Sequence, residues 1–177
     1  MTEQEQGEGG TGVPPVLGEK ITRRHLPHWQ REGAVYFLTW RCAKGVILSE
    51  TERDFVLCAI RHWDGKRWKV YAAVVMPNHV HVLAQPLAKG HSVWDLGELL
   101  HSVKSYSAHQ IAKARKDRRD AGPTRPIWQD ERYDRWIRDD DEFAEKWQYI
   151  ADNPVKEGLA ATAVEYRWLY LLDERPL

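Results

Sequence analysis

Apolar and polar positions change period several times along this chain, and each change predicts an element. Residues 34–41, AVYFLTWR, are dense in β-branched and aromatic side chains and predict a first strand. In SETERDFVLCAIRHW, Phe55, Val56, Ala59, Ile60 and Trp63 recur at helical intervals behind Ser49 and Glu52, which have capping-box spacing. DGKR then turns the chain, WKVYAAVVM predicts a second strand and HVHVLAQ a third. Only Pro77-Asn78 separates these two strands, so they must run antiparallel.

A second long helix is expected to open at Ser92 with Asp95 and to turn Val93, Leu96, Leu100, Val103 and Ile111 inward. It passes into a basic loop, KARKDRRDAGPTRP. IWQDERYDRWIRD alternates weakly and predicts one or two edge strands. DDEFAEKWQYIADNP predicts a third helix with Phe143, Trp147 and Ile150 on one face and Pro154 as its stop. AVEYRWLYLL reads as a final strand or packing arm. The order β-α-β-β-α implies one α+β domain, a ferredoxin-like sandwich with helices packed on one face of an antiparallel sheet. Residues 1–20 are rich in Gly, Glu and Pro and are expected to be a disordered tail ahead of a domain over 21–177.

Composition adds little to that outline until it is read locally. A chain of 177 residues can bury one real core. Its formal net charge is zero, so no global field advertises a nucleic-acid partner. Between Lys104 and Arg138, however, ten Lys and Arg face five Asp and Glu. Such a stripe can track a phosphate backbone, and it can equally be an ordinary solvated surface. Most of the nine tryptophans are expected in the core, with Trp128 and Trp136 as alternative base-stacking surfaces. Cys42 and Cys58 match no metal or redox spacing, and no signal peptide or membrane-length apolar run is present, so a cytoplasmic protein is expected.

The chemistry concentrates in VVMPNHVHVLAQP. Alternate strand residues share a face, so His79, His81 and Leu83 point one way. Two neutral imidazoles side by side can be two legs of a divalent-metal site, or two polar side chains satisfied at a sheet edge. On the third helix, Tyr149 and Asn153 are four residues apart and share a face, although Pro154 threatens to carry Asn153 out of the helix. A tyrosine beside a metal can be a nucleophile, and an amide oxygen can complete a coordination shell. On spacing alone a half-buried structural tyrosine is the commoner case.

MPNHVHVL together with YIADNPVKEGL resembles the REP-associated tyrosine transposases, a branch of the HUH single-strand transposases. LPHW, GAVYFLTWR, LHSVKSYSAHQI and IWQDERYDRWIRD resemble that family's other segments in order. The resemblance implies that His79, His81 and Asn153 bind a divalent ion, Mg²⁺ or Mn²⁺, and that Tyr149 is the single nucleophile. It implies cleavage and rejoining of single-stranded or hairpin DNA through a 5′-phosphotyrosine link. Lys104, Lys113, Arg115, Lys116, Arg118 and Arg119 are candidate DNA contacts, a monomer is favoured over a dimer, and activity is expected to fall below about pH 6 as histidine protonates. The alternatives are a non-catalytic binder of hairpin DNA, a metal hydrolase that does not need Tyr149, and Tyr106 as a rival nucleophile.

Overall fold

The computed structural model describes residues 20–24, 26–30, 33–116 and 126–172. A short hairpin, β1 (Lys20–Arg24) and β2 (Leu26–Gln30), precedes the main body. No strand was expected that early. The body is built from β3 (Tyr36–Cys42), α1 (Glu50–His62), β4 (Trp68–Val75), β5 (His79–Pro86), α2 (Leu96–Lys116), β8 (Trp128–Trp136), α3 (Asp140–Lys156) and β9 (Leu169–Leu171). Two-residue strands β6 (Ala88–Lys89) and β7 (Ser92–Val93) pair with each other between β5 and α2. The sheet order is β8-β3-β5-β4-β9, with every neighbouring pair antiparallel.

The elements start where local chemistry allows. Ser49 caps α1: its hydroxyl accepts from the Glu52 amide at 3.4 Å, and the Glu52 carboxylate accepts from the Ser49 amide at 2.9 Å. The second helix differs from expectation. Ser92 and Val93 are spent in β7, and Asp95 is the residue whose carboxylate accepts from the Glu98 amide, at 3.0 Å, so α2 begins at Leu96. Pro154 does not stop the third helix either. A proline only withholds one N–H, and α3 runs on to Lys156 before Gly158, at φ 67°, turns the chain. The Leu159 amide donates to the Pro154 carbonyl at 2.8 Å and the Gly158 amide to the Val155 carbonyl at 3.0 Å, the paired bonds of a Schellman cap. Asn153 therefore stays helical.

The α+β architecture with an antiparallel sheet is present as expected, but the helices divide between the two faces. Leu38 and Trp40 of β3 and Val80, Val82 and Ala84 of β5 point to the face covered by α1 and α2. There the Trp68 indole N–H donates to the Ile60 carbonyl at 3.1 Å, and Trp40 packs edge-on against Trp128. Trp128 in turn donates to the Lys104 carbonyl at 3.1 Å and to Ser107 Oγ at 3.2 Å, so it is a core residue rather than a free stacking surface. Phe37, Thr39 and Arg41 point the other way, with Leu83, His81 and His79 directly across. Among the described residues α3 is the helix that covers that second face, where Phe143 packs edge-on against Tyr71 and Tyr149 against Phe37. A single helix cannot cover five strands. At the end of this face Arg41 is exposed and His79 half-buried.

A candidate two-histidine and tyrosine site

The hairpin turn fixes the first two residues of the site. Pro77-Asn78 is the two-residue loop between β4 and β5, closed by a bond of 2.8 Å from the Met76 amide to the His79 carbonyl. The Asn78 carbonyl accepts from the Cys42 amide at 2.8 Å and the Pro77 carbonyl from the Leu48 amide at 2.7 Å, which pins the turn to the end of β3 and to the segment that leads into α1. His79 and His81 then project from the first and third positions of β5, with ring centroids 4.8 Å apart.

Each ring is oriented by a second residue. His79 Nδ1 lies 2.6 Å from Asn78 Oδ1, a carbonyl oxygen that can only accept, so Nδ1 carries the proton and Nε2 keeps its lone pair. His81 Nδ1 lies 2.7 Å from Thr39 Oγ1, which orients the second ring. Phe37 stacks on His81 at 5.4 Å and 16° and meets the Tyr149 ring edge-on at 5.8 Å. Burial, the neighbouring His79 and the Arg41 charge push the His81 pKa down to about 3. Burial and Arg41 also hold His79 below its ordinary value, while Glu157 and the Asn153 amide pull the other way. Both rings are therefore neutral over the physiological range.

The third helix brings the remaining pair. Its N-terminus is fastened to the end of β8 through the buried Glu142, which accepts from the Arg138 amide and Nε at 3.0 Å each and pairs with Arg135 Nη2 at 2.7 Å. Asp139 caps the helix by accepting from the Glu142 amide at 2.8 Å. With both ends held, Tyr149 sits 5.1 Å from the His81 ring, centroid to centroid, and stays 40 % exposed. One turn later Asn153 is buried, and its Oδ1 has no hydrogen-bond partner. A buried amide oxygen without a partner costs stability unless something binds it.

The expected four residues thus converge from β5 and α3. Tyr106 does not: it lies on α2, across the sheet from the histidines. Of the candidate DNA contacts, Lys113 and Lys116 are exposed on the last turn of α2. Lys104 is half-buried and donates to the Gln129 carbonyl at 2.6 Å. Arg115 clamps the buried Glu52 through Nε at 2.7 Å and Nη2 at 3.0 Å. Arg118 and Arg119 fall outside the described residues. Thr39, Phe37 and Asn78 belong to the site and were not anticipated. The alternation of FLTWR placed Phe37 and Thr39 on one face, but only the cross-strand register puts them beside His81.

Among the described residues, no three His, Cys, Asp or Glu side chains group to hold a metal. The donor set is two imidazole nitrogens and one amide oxygen, which fits a divalent ion that takes its remaining ligands from water or substrate oxygens. Nor is any described helix long and apolar enough to cross a membrane.

The fold has a clear counterpart among solved structures. The structure of the REP-associated tyrosine transposase bound to a REP hairpin matches with a TM-score of 0.64 over 83 % of this chain and 82 % of that one, at 21 % identity. A candidate transposase of Deinococcus radiodurans R1 covers 73 % of this chain and 94 % of its own, at 19 % identity and a TM-score of 0.44, too low to carry an argument. No protein of curated function matches. Residues 36–153 match the family described as Transposase IS200 like, and that span contains both histidines, the tyrosine and the asparagine. This chain belongs to the IS200-like transposases.

Proposed function

We propose that this protein cleaves and rejoins single-stranded, hairpin-flanked DNA through a covalent link to Tyr149, as a REP-associated member of its family. The observation that carries the reading is the convergence of an exposed tyrosine, two neutral imidazoles and the buried Asn153 amide beside His79. His79, His81 and Asn153 would hold a divalent cation, Mg²⁺ or Mn²⁺. Bound there, it would polarise a phosphate oxygen and favour the phenolate over a free tyrosine's pKa of about 10.

The rest of the step belongs to the chain. Tyr149 Oη forms the bond to phosphorus and the P–O3′ bond breaks. The electron pair leaves with the 3′ oxygen, which takes up a proton as a 3′-hydroxyl. Phe37 and His81 set the tyrosine ring at the sheet, and the two caps of α3 hold its height. The phosphotyrosine link keeps one phosphoester for another, so a second 3′-hydroxyl can reverse the reaction without a nucleotide cofactor. Lys113 and Lys116 are the described residues free to meet a DNA backbone from the expected set. The relative of known structure holds a REP hairpin, which makes hairpin DNA the first substrate to try. A monomer suffices, since all four residues come from one chain.

The test uses labelled single-stranded hairpin DNA from the flanks of the protein's own gene, run on a denaturing gel with Mg²⁺, Mn²⁺ or chelator. The proposal expects a protein–DNA adduct that needs both metal and Tyr149. Cleavage that survives Tyr149→Phe would mean a water-using hydrolase, and binding without cleavage would mean a non-catalytic module.

A further inference from the structure

Arg41 ends the face on which the site is built, and the reaction as described does not use it. It stands directly across from His79 on β3, in the alternation that already places Phe37 and Thr39 beside His81. Its side chain is exposed, and its guanidinium has no ion-pair or hydrogen-bond partner among the described residues. The neighbouring strand withdraws at this point. Trp40 pairs with Arg132 and Cys42 with Trp128, so the three residues 129–131 of β8 stand against Arg41 alone. That bulge is held in place: Lys104 donates to the Gln129 carbonyl at 2.6 Å, and Gln129 Nε2 donates to the Cys42 carbonyl at 3.0 Å. Bulges of this kind re-aim a side chain beside a site. Here the result is a permanent cation at the open end of the sheet.

The charge balance of the site says what that cation is for. Two neutral imidazoles, an amide and a phenol bring no negative charge, and the acid that acts most on His79 is Glu157 at the end of α3. The Arg41 charge reaches the rings, since it lowers the proton affinity of both histidines. An anionic substrate is the missing partner. The planar guanidinium fork matches the two non-bridging oxygens of a phosphodiester and never gives up its proton.

We propose that Arg41 binds a non-bridging oxygen of the phosphate that Tyr149 attacks, and so is a further catalytic residue. This rests on the tyrosine-transfer reading above. As the bond to Tyr149 Oη forms and the P–O3′ bond breaks, negative charge builds on the non-bridging oxygens, and Arg41 meets it without any proton transfer. Register against His79 on one side and the fastened bulge of β8 on the other fix the backbone from which that contact is made.

The test compares wild type, Arg41→Gln, Arg41→Lys and Tyr149→Phe in adduct formation on the hairpin DNA. Ordinary DNA is set against DNA carrying a methylphosphonate at the cleaved linkage, each diastereomer separately. Arg41→Gln should melt at the wild-type temperature, because the side chain has no described partner to lose. On ordinary DNA its adduct rate should fall about 100-fold, the usual scale for losing one such donor, with Arg41→Lys between the two. On the methylphosphonate diastereomer that lacks the contacted oxygen, wild type and Arg41→Gln should differ by less than about 3-fold, as expected when one partner of a pair is already gone. A wild-type rate for Arg41→Gln, or an undiminished penalty on both diastereomers, overturns the Arg41 role and leaves the tyrosine reaction standing. Failure of wild type to form any Tyr149-dependent adduct removes both.

Discussion

Acid should destabilise this protein through His81 in particular, and by an amount the structure sets. The ring is 6 % exposed, and its pKa is pushed down to about 3 from the 6.5 of an unperturbed histidine. Between those two values the unfolded chain binds a proton at this position and the native chain refuses it. Stability therefore rises with pH across that window, is fully present above pH 6.5, and stops falling below about pH 3. Each tenfold step in proton activity is about 1.4 kcal/mol, so at pH 4.5 the contribution amounts to a loss of about 3 kcal/mol relative to pH 7.5. The assay is urea unfolding in chelator at pH 7.5 and 4.5, for wild type and His81→Gln. His79 is lowered in the same direction and its ring lies 4.8 Å from that of His81, so the comparison is repeated in a His79→Gln background to separate the two titrations. Wild type should lose about 3 kcal/mol more than the variant between the two pH values. Equal losses would refute the claim that His81 is held neutral by burial beside His79 and Arg41.

Four further outcomes follow from the same geometry. Asn153→Ala should weaken Mn²⁺ binding measured by calorimetry while changing unfolding stability by about 1 kcal/mol or less, because its Oδ1 has no partner to lose. Gly158→Ala should lower stability by about 1 kcal/mol in a thermal melt, since a Cβ is strained at φ 67° even with open space around it. Lys113→Ala and Lys116→Ala should each flatten the salt dependence of hairpin-DNA binding by about one unit of log–log slope, measured by titration at several salt concentrations. Lys104→Ala should instead act on stability, because its ammonium ties α2 to β8.

What could be read from the sequence was what depends on short range. The Ser49–Glu52 cap, the Pro77-Asn78 hairpin and the four-residue step from Tyr149 to Asn153 are each set within a few residues. The start of α2 was missed because Ser92 and Asp95 both suit a cap. Pairing of Ser92 and Val93 with Ala88 and Lys89 decided between them. Pro154 was overread as a stop because the αL glycine that ends α3 lies four residues further on. Long-range pairing escaped altogether. Nothing in the local pattern assigns α3 to the opposite face from α1 and α2, commits Arg115 to Glu52, or sets Thr39 and Phe37 beside His81. The basic stripe was legible only as composition, and folding spends Lys104 and Arg115 on intramolecular contacts.

The central claim is that Tyr149 becomes covalently joined to DNA. The direct measurement is mass spectrometry of the protease-digested adduct, after nuclease trimming, to find which residue carries a nucleotide. The peptide containing Tyr149 should bear a 5′-phosphate-linked nucleotide, and the same peptide from chelator-treated reactions should not. A nucleotide on Tyr106 or Tyr133, or cleaved DNA with no modified tyrosine in any peptide, would contradict the account.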